Sequence, residues 1–349
     1  MAQHADKPRQ AIIYGLNGPR LTQEERAFFK QCNPWGFILF ARNIDSAAQV
    51  ADLTADLRTL VDRSPTSPHV PILIDQEGGR VARLTPPLVR AYPPAALYGA
   101  LYDNDPERAC QAATLGGYLI GCDLHGLGIT VNCMPCLDVA GAGMHEIIGD
   151  RAYGASPDKV AQLGQAAAKG LMQAGILPVM KHIPGHGRGQ LDSHLALPKV
   201  ATKRAELEQT DFESFRQCAD LPLAMTAHIC FEALDKQAVA TQSKHIIQTI
   251  IRESIGFTGL LISDDISMQA LTGTLAERAQ KALNAGCDVV LHCTGDMAEM
   301  QELAAVVPHL QGQSLARAAK IDELLAKCRP QKVANAENQW QKYLSGIFP

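Results

Sequence analysis

Short apolar runs alternate with longer stretches whose apolar residues recur every three or four positions, from the first residues almost to the last. AIIYGL, GFILF, VPILID, ITVNCMPCLDV, LPVMKH, LAMTAHI, GLLISDD and CDVVLHC read as about eight β-strands, the number that closes a (β/α)8 TIM-type barrel. The stretches between them carry helix start signals. Thr22 with Glu25, Ser46 with Gln49 and Thr274 with Glu277 each have capping-box spacing, and Asp105-Pro106 and Ser156-Pro157 place a cap before proline at the first helical position. In the second helix Val50, Leu53, Leu57 and Leu60 form one apolar stripe suited to the outside of a sheet.

Such helices also fit an open doubly wound sheet, but no GxGxxG follows the first strand and no phosphate-loop pattern occurs. The reading is therefore an α/β fold, a single-domain barrel over 1–328. After it, 329–349 is a polar tail with enough apolar residues for one docking helix and too few for a second domain.

Composition narrows the function classes. The 349 residues are 46% hydrophobic and 19% charged, ordinary for a chain with a large core, and the net charge of −4 comes without a basic cluster, which argues against nucleic acid as a partner. No apolar segment is long enough to span a bilayer, and the polar start lacks the core of a signal peptide. Ten cysteines are too sparse for a disulfide-stapled secreted domain, so cytosolic thiols and a cytoplasmic location are expected. Cys133 and Cys136 have CxxC spacing, but no second pair completes four ligands, and both read as small buried hydrophobes.

The C-terminal ends of the strands carry the candidate chemistry, because barrel active sites are built there. Those ends are polar: Asp75, Asp138, Lys181 with His182, His228, Asp264 with Asp265, and His292. Each alone has a plain structural reading: Asp138 as a helix cap or arginine partner, His228 and His292 as satisfied core histidines. Their convergence at one mouth favours a site, since buried ionisable groups are costly unless paired. Two segments stand out: KHIPGHG from Lys181 to Gly187, which leads on to DSH at His194, and SDDISM from Ser263 to Met268. Strand parity does not choose between Asp264, which shares a face with Leu260 and Ile262, and Asp265, which shares one with Leu261 and Ser263.

In order, GFILFARNI, DQEGGRVARL, LDV, GDRAYGASP, KHIPGHG with DSH, SDDISM and AGCDVVL make the chain resemble the family 3 glycoside hydrolases. Within that family it is similar to the single-domain β-N-acetylglucosaminidases, which the DSH triplet separates from the β-glucosidases. The resemblance implies a retaining exo-β-N-acetylglucosaminidase that needs no cofactor and no metal. It implies Asp264 as nucleophile, His194 as general acid/base and Asp192 as the residue that orients His194. Asp75, Arg83, Arg151, Lys181 and His182 then grip the terminal sugar. The implied partner is a carbohydrate, a β-linked N-acetylglucosamine on a cell-wall muropeptide of peptidoglycan recycling, with no nucleic acid and no membrane. Ile183 and Arg188 depart from the phenylalanine and aspartate of many members, which bears on how the loop packs. Competing readings are a metal-dependent barrel hydrolase with His182, His186, His194 and Asp264 as ligands, a β-glucosidase of the same family, and a sugar-binding module without turnover.

Overall fold

A computed structural model describes residues 7–61, 70–141, 144–189 and 197–348. The eight runs become strands β1 (Gln10–Gly15), β2 (Pro34–Leu39), β3 (Ile72–Ile74), β4 (Val131–Asn132), β5 (Leu177–Ile183), β6 (Leu223–Thr226), β7 (Leu260–Asp265) and β8 (Val289–His292). They pair in parallel, each with its sequence neighbours, and β8 pairs back onto β1 through Ile12 opposite Val290, which closes the barrel. An eight-stranded barrel needs its interior filled by side chains. Buried aliphatic residues such as Ile12, Ile38, Ile72, Val131, Val179, Leu261 and Val290 belong to one continuous apolar core.

The fourth strand is shorter than the run ITVNCMPCLDV suggests. The ladder with β5 stops after Asn132, where the Met134 amide turns back to the Asn132 carbonyl at 2.8 Å, and resumes only at a bridge between Cys136 and Lys181. Cys133 and Cys136 are both buried and unbonded to each other.

The outer helices start where the capping signals put them. Thr22 and Thr274 make both bonds of the box with Glu25 and Glu277. Ser46 accepts from the Gln49 amide, while the Gln49 side chain turns to the Asp45 amide instead of the cap's own. Asp105 caps as expected; Ser156 makes no side-chain cap bond. Val50, Leu53, Leu57 and Leu60 are all buried on the inner face of their helix. At the C-terminal end a helix over Ala336–Leu344 docks through Trp340, whose indole N–H donates to the Tyr98 hydroxyl at 3.2 Å and whose ring lies 5.6 Å from Tyr92. No helix among the described residues is long and apolar enough to cross a membrane.

The two ends of the barrel differ in kind. At the N-terminal end buried Asp288 accepts from Arg252, Arg317 and the Leu261 amide, each at 2.9 Å, and so ties β7 and β8 to the helices outside them. At the opposite end the charged groups surround a cavity.

Candidate active site

The loops and strand ends at the C-terminal mouth enclose a cavity of about 430 Å³, of the size that holds small polar ligands. Its wall includes Asp75, Arg83, Arg151, Lys181, His182 and Asp264, so six of the eight residues singled out in the sequence come together. The other two, Asp192 and His194, lie outside the described residues.

Asp75 leaves β3 at the rim, and Lys181 rises from β5 behind it. The Lys181 ammonium is buried and sits 2.8 Å from Asp75 and 2.6 Å from Glu77. Arg83 reaches the second oxygen of Asp75 at 3.1 Å, and Arg151 forks onto both oxygens of Glu77 at 2.8 and 2.9 Å. Burial by itself would push these carboxyls up. For Asp75, Lys181 and then Arg83 outweigh it and hold the group below the ordinary carboxylate range. For Glu77, Arg151 and then Lys181 bring the value down to about 2. Burial also works against the Lys181 ammonium, and Asp75 with Glu77 reverses that effect. Asp75, Glu77, Lys181 and Arg151 thus favour one another's charged forms, and Arg83 and Arg151 present guanidinium groups at the cavity wall.

Glu77 was not picked out from the sequence. It is buried behind the cavity wall and serves two cations that line it. Its signal was its place two residues beyond Asp75 in DQEGG, the spacing that returns an extended chain to the same face.

Asp138 likewise turns out to be a support. Fully buried, it accepts from His182 Nδ1 at 2.7 Å and from the His182 and His186 amides at 3.2 and 2.6 Å. With Nδ1–H committed to Asp138, the network assigns Nε2 of His182 as the acceptor, facing Arg151 at 3.5 Å. The pairing between β5 and β6 shifts register between Lys181 and Ile183, and both Lys181 and His182 line the cavity despite being adjacent in sequence. The His186 imidazole is lowered to about 4, by burial first and then by His182, and is neutral at neutral pH.

At the end of β7 both aspartates border the cavity, but their carboxylates are used differently. Asp265 accepts from the Ser267 amide at 3.1 Å, the Ser267 hydroxyl at 2.5 Å and the Cys293 amide at 3.2 Å, so it fastens the turn after β7 to the loop after β8. Asp264 takes the Asp265 amide on one oxygen at 2.8 Å. This asymmetry is information that strand parity lacked.

The other strand-end residues divide. His292 does not join the cavity: it is buried, bonds Glu299 at 2.9 Å and packs edge-on to Tyr14, as a core histidine does. Arg188, one of the two departures in the loop, pairs with Asp211 at 2.7 Å and Glu206 at 2.8 Å, while Ile183, the other, is buried in the core. Among the described residues, the ligand-type atoms gathered within 4.8 Å of one another belong to Cys136, Asp138 and His182. The Cys136 thiol donates to Asp138 at 3.2 Å, and burial together with Asp138 pushes its pKa far up. A protonated thiol is a poor ligand, so this group fits a hydrogen-bonded support for His182 better than a metal centre.

Comparison with known proteins identifies the class. Residues 7–327 match the model of the glycosyl hydrolase family 3 N-terminal domain; the chain belongs to that family and is a glycoside hydrolase. The β-hexosaminidase of Alkalilimnicola ehrlichii is 38% identical over 303 residues, 86% of this chain and 84% of the relative. That of Chromobacterium violaceum is 34% identical over 342 residues, 97% and 91% of the two chains. Among solved structures, NagZ from Neisseria gonorrhoeae in complex with N-trifluoroacetyl-D-glucosamine superposes with a TM-score of 0.86 at 30% identity, covering 99% of each chain. The resemblance read from the motifs and the closed barrel both hold.

The charge network has a testable signature. Glu77→Gln leaves Arg151 and Lys181 short of an anion, and breaking a buried pair in this way costs about 3–5 kcal/mol. Arg151 and then Lys181 bring the Glu77 pKa in the folded protein down to about 2, below the 4.5 ordinary for a glutamate. Its contribution is therefore fully present above the unfolded value and is lost as pH falls toward the folded one. Urea midpoints of wild type and variant should differ most at neutral pH and converge as pH drops below about 4.5. A gap independent of pH would show that the carboxylate charge is not what stabilises the site.

Proposed function

We propose that this β-hexosaminidase-type glycoside hydrolase removes terminal, non-reducing N-acetylglucosamine from β-linked glycans with retention of configuration. The observation that carries the reading is the convergence of Asp264 on one cavity with Asp75, Arg83, Arg151, Lys181 and His182. In it, the Asp264 carboxylate attacks the anomeric carbon as the glycosidic C–O bond breaks, and the leaving oxygen takes a proton from His194. Water, deprotonated by the same histidine, then releases the sugar from Asp264. Asp192 orients His194 and stabilises its protonated form; both roles rest on the resemblance of the DSH triplet.

Paired carboxylates and guanidinium groups suit the hydroxyls of a sugar ring, which both donate and accept. The N-acylated glucosamine held by the gonococcal relative supports an N-acetylhexosamine as the ligand. The substrate proposed in the cell is a muropeptide of peptidoglycan recycling. Ten cysteines, none of them paired, support a reducing, cytoplasmic setting.

Two measurements test the reading. Aryl β-N-acetylglucosaminides should be cleaved much faster than aryl β-glucosides, with no effect of EDTA. Faster glucoside turnover would assign the β-glucosidase activity instead, and EDTA inactivation reversed by zinc would favour the metal-dependent alternative. The second concerns leaving groups. General acid catalysis is worth about 10²–10⁴-fold and matters most for poor leaving groups. His194→Ala should therefore depress hydrolysis of a disaccharide far more than that of a glycoside with an acidic phenol, and Asp192→Ala should act in the same direction less severely. Equal losses in kcat/KM across leaving groups would remove His194 from the acid role.

A further inference from the structure

Behind Asp264 lies a buried polar chain that the mechanism above does not use. Thr226 at the end of β6, Thr241 in the following loop and His228 are all completely buried. The Asp264 amide donates to Thr226 Oγ1 at 3.3 Å, Thr226 and Thr241 hydroxyls meet at 2.8 Å, Thr241 lies 2.8 Å from His228 Nδ1, and His228 Nε2 lies 2.9 Å from the carbonyl oxygen of Asp265.

Elementary valence fixes the bonds at the two ends of the chain. Burial lowers the His228 pKa, so the ring is neutral and carries one N–H. The Asp265 carbonyl can only accept, which places that hydrogen on Nε2. Nδ1 is then an acceptor, and the Thr241 hydroxyl, 2.8 Å from it and 3.0 Å from the Ala227 carbonyl, has one proton to share between the two. Thr226, 2.8 Å from Thr241, accepts from the Asp264 amide. The chain begins at the backbone N–H of Asp264 and ends at the backbone C=O of Asp265, so it grips the reacting residue on both sides without touching the cavity.

We infer that Thr226, Thr241 and His228 form a buried hydrogen-bond clamp that positions Asp264 for attack on the anomeric carbon. The inference rests on the proposed role of Asp264 and adds three positioning residues to it. Each is expected to act on the chemical step and not on sugar affinity, because none lines the cavity while the attacking oxygen tolerates little displacement. A misplacement of 1 Å costs up to about 100-fold in rate.

The test is the rate at which a slow-turnover fluorinated glycoside becomes covalently attached, with the modified residue located by peptide mass spectrometry, alongside the dissociation constant of N-acetylglucosamine and the thermal midpoint. Thr226→Val, Thr241→Val and His228→Gln should slow capture by about 10- to 100-fold while sugar affinity stays within about twofold. Thr226→Ser and Thr241→Ser, which keep the hydroxyl, should capture at near the wild-type rate. Valine variants as fast as wild type would overturn the clamp, as would serine variants as slow as the valines, or affinity falling in step with rate. Wild-type labelling at a residue other than Asp264 would remove the nucleophile assignment and the clamp with it. Labelling at Asp264 with unaffected variants would remove the clamp alone.

Discussion

A lysine ammonium buried at the mouth of a barrel is the constraint around which this site is arranged. Lys181 is almost wholly buried, and an unpaired buried charge costs several kcal/mol, so the fold must supply anions at hydrogen-bond distance. It supplies two, Asp75 and Glu77, and each of these brings a further cation, Arg83 and Arg151. Three cations against two anions leave one positive charge in excess within the group. The strand end after β3, the turn after Gly78, the 149–151 turn and β5 are thereby locked to one another. Charge pairing joins the elements at the mouth, in contrast to the apolar barrel interior.

The same logic recurs one layer back. His182 is held by Asp138, which also collects two amides of the KHIPGHG segment, so one fully buried carboxylate fixes both a ring and the backbone that follows it. Asp265 fastens the turn after β7 to the loop after β8, and Asp264 stands beside it at the cavity wall. Residues proposed to act on a ligand thus stand side by side in sequence with residues that fasten the backbone around them.

That adjacency explains what could be read from the chain and what could not. Periodic signals exposed the eight strands, the apolar stripe of Val50, Leu53, Leu57 and Leu60, and most helix starts, because these depend on neighbours within a few residues. The collection of polar residues at strand ends was legible for the same reason. Pairing across the mouth was not. Glu77 and Asp138 acquire their roles from Arg151, Lys181 and His182, residues tens of positions away, and in SDD Asp265 is marked by its bonds to Ser267 and the distant Cys293 amide. His292 looked like its site-lining counterparts until Glu299, one turn into the next helix, was found to occupy it. The limit of the pattern at β4 is local: the Met134 amide turns back onto the Asn132 carbonyl, and the ladder stops there.

The central claim is that a sugar held by this charge network is transferred to Asp264 before water takes it. Proton NMR of the first-formed product, recorded before mutarotation, tests it directly. A double displacement at Asp264 predicts that a β-linked N-acetylglucosaminide yields the β-anomer first. Initial release of the α-anomer would mean that water attacks the sugar in a single step, and would contradict the claim.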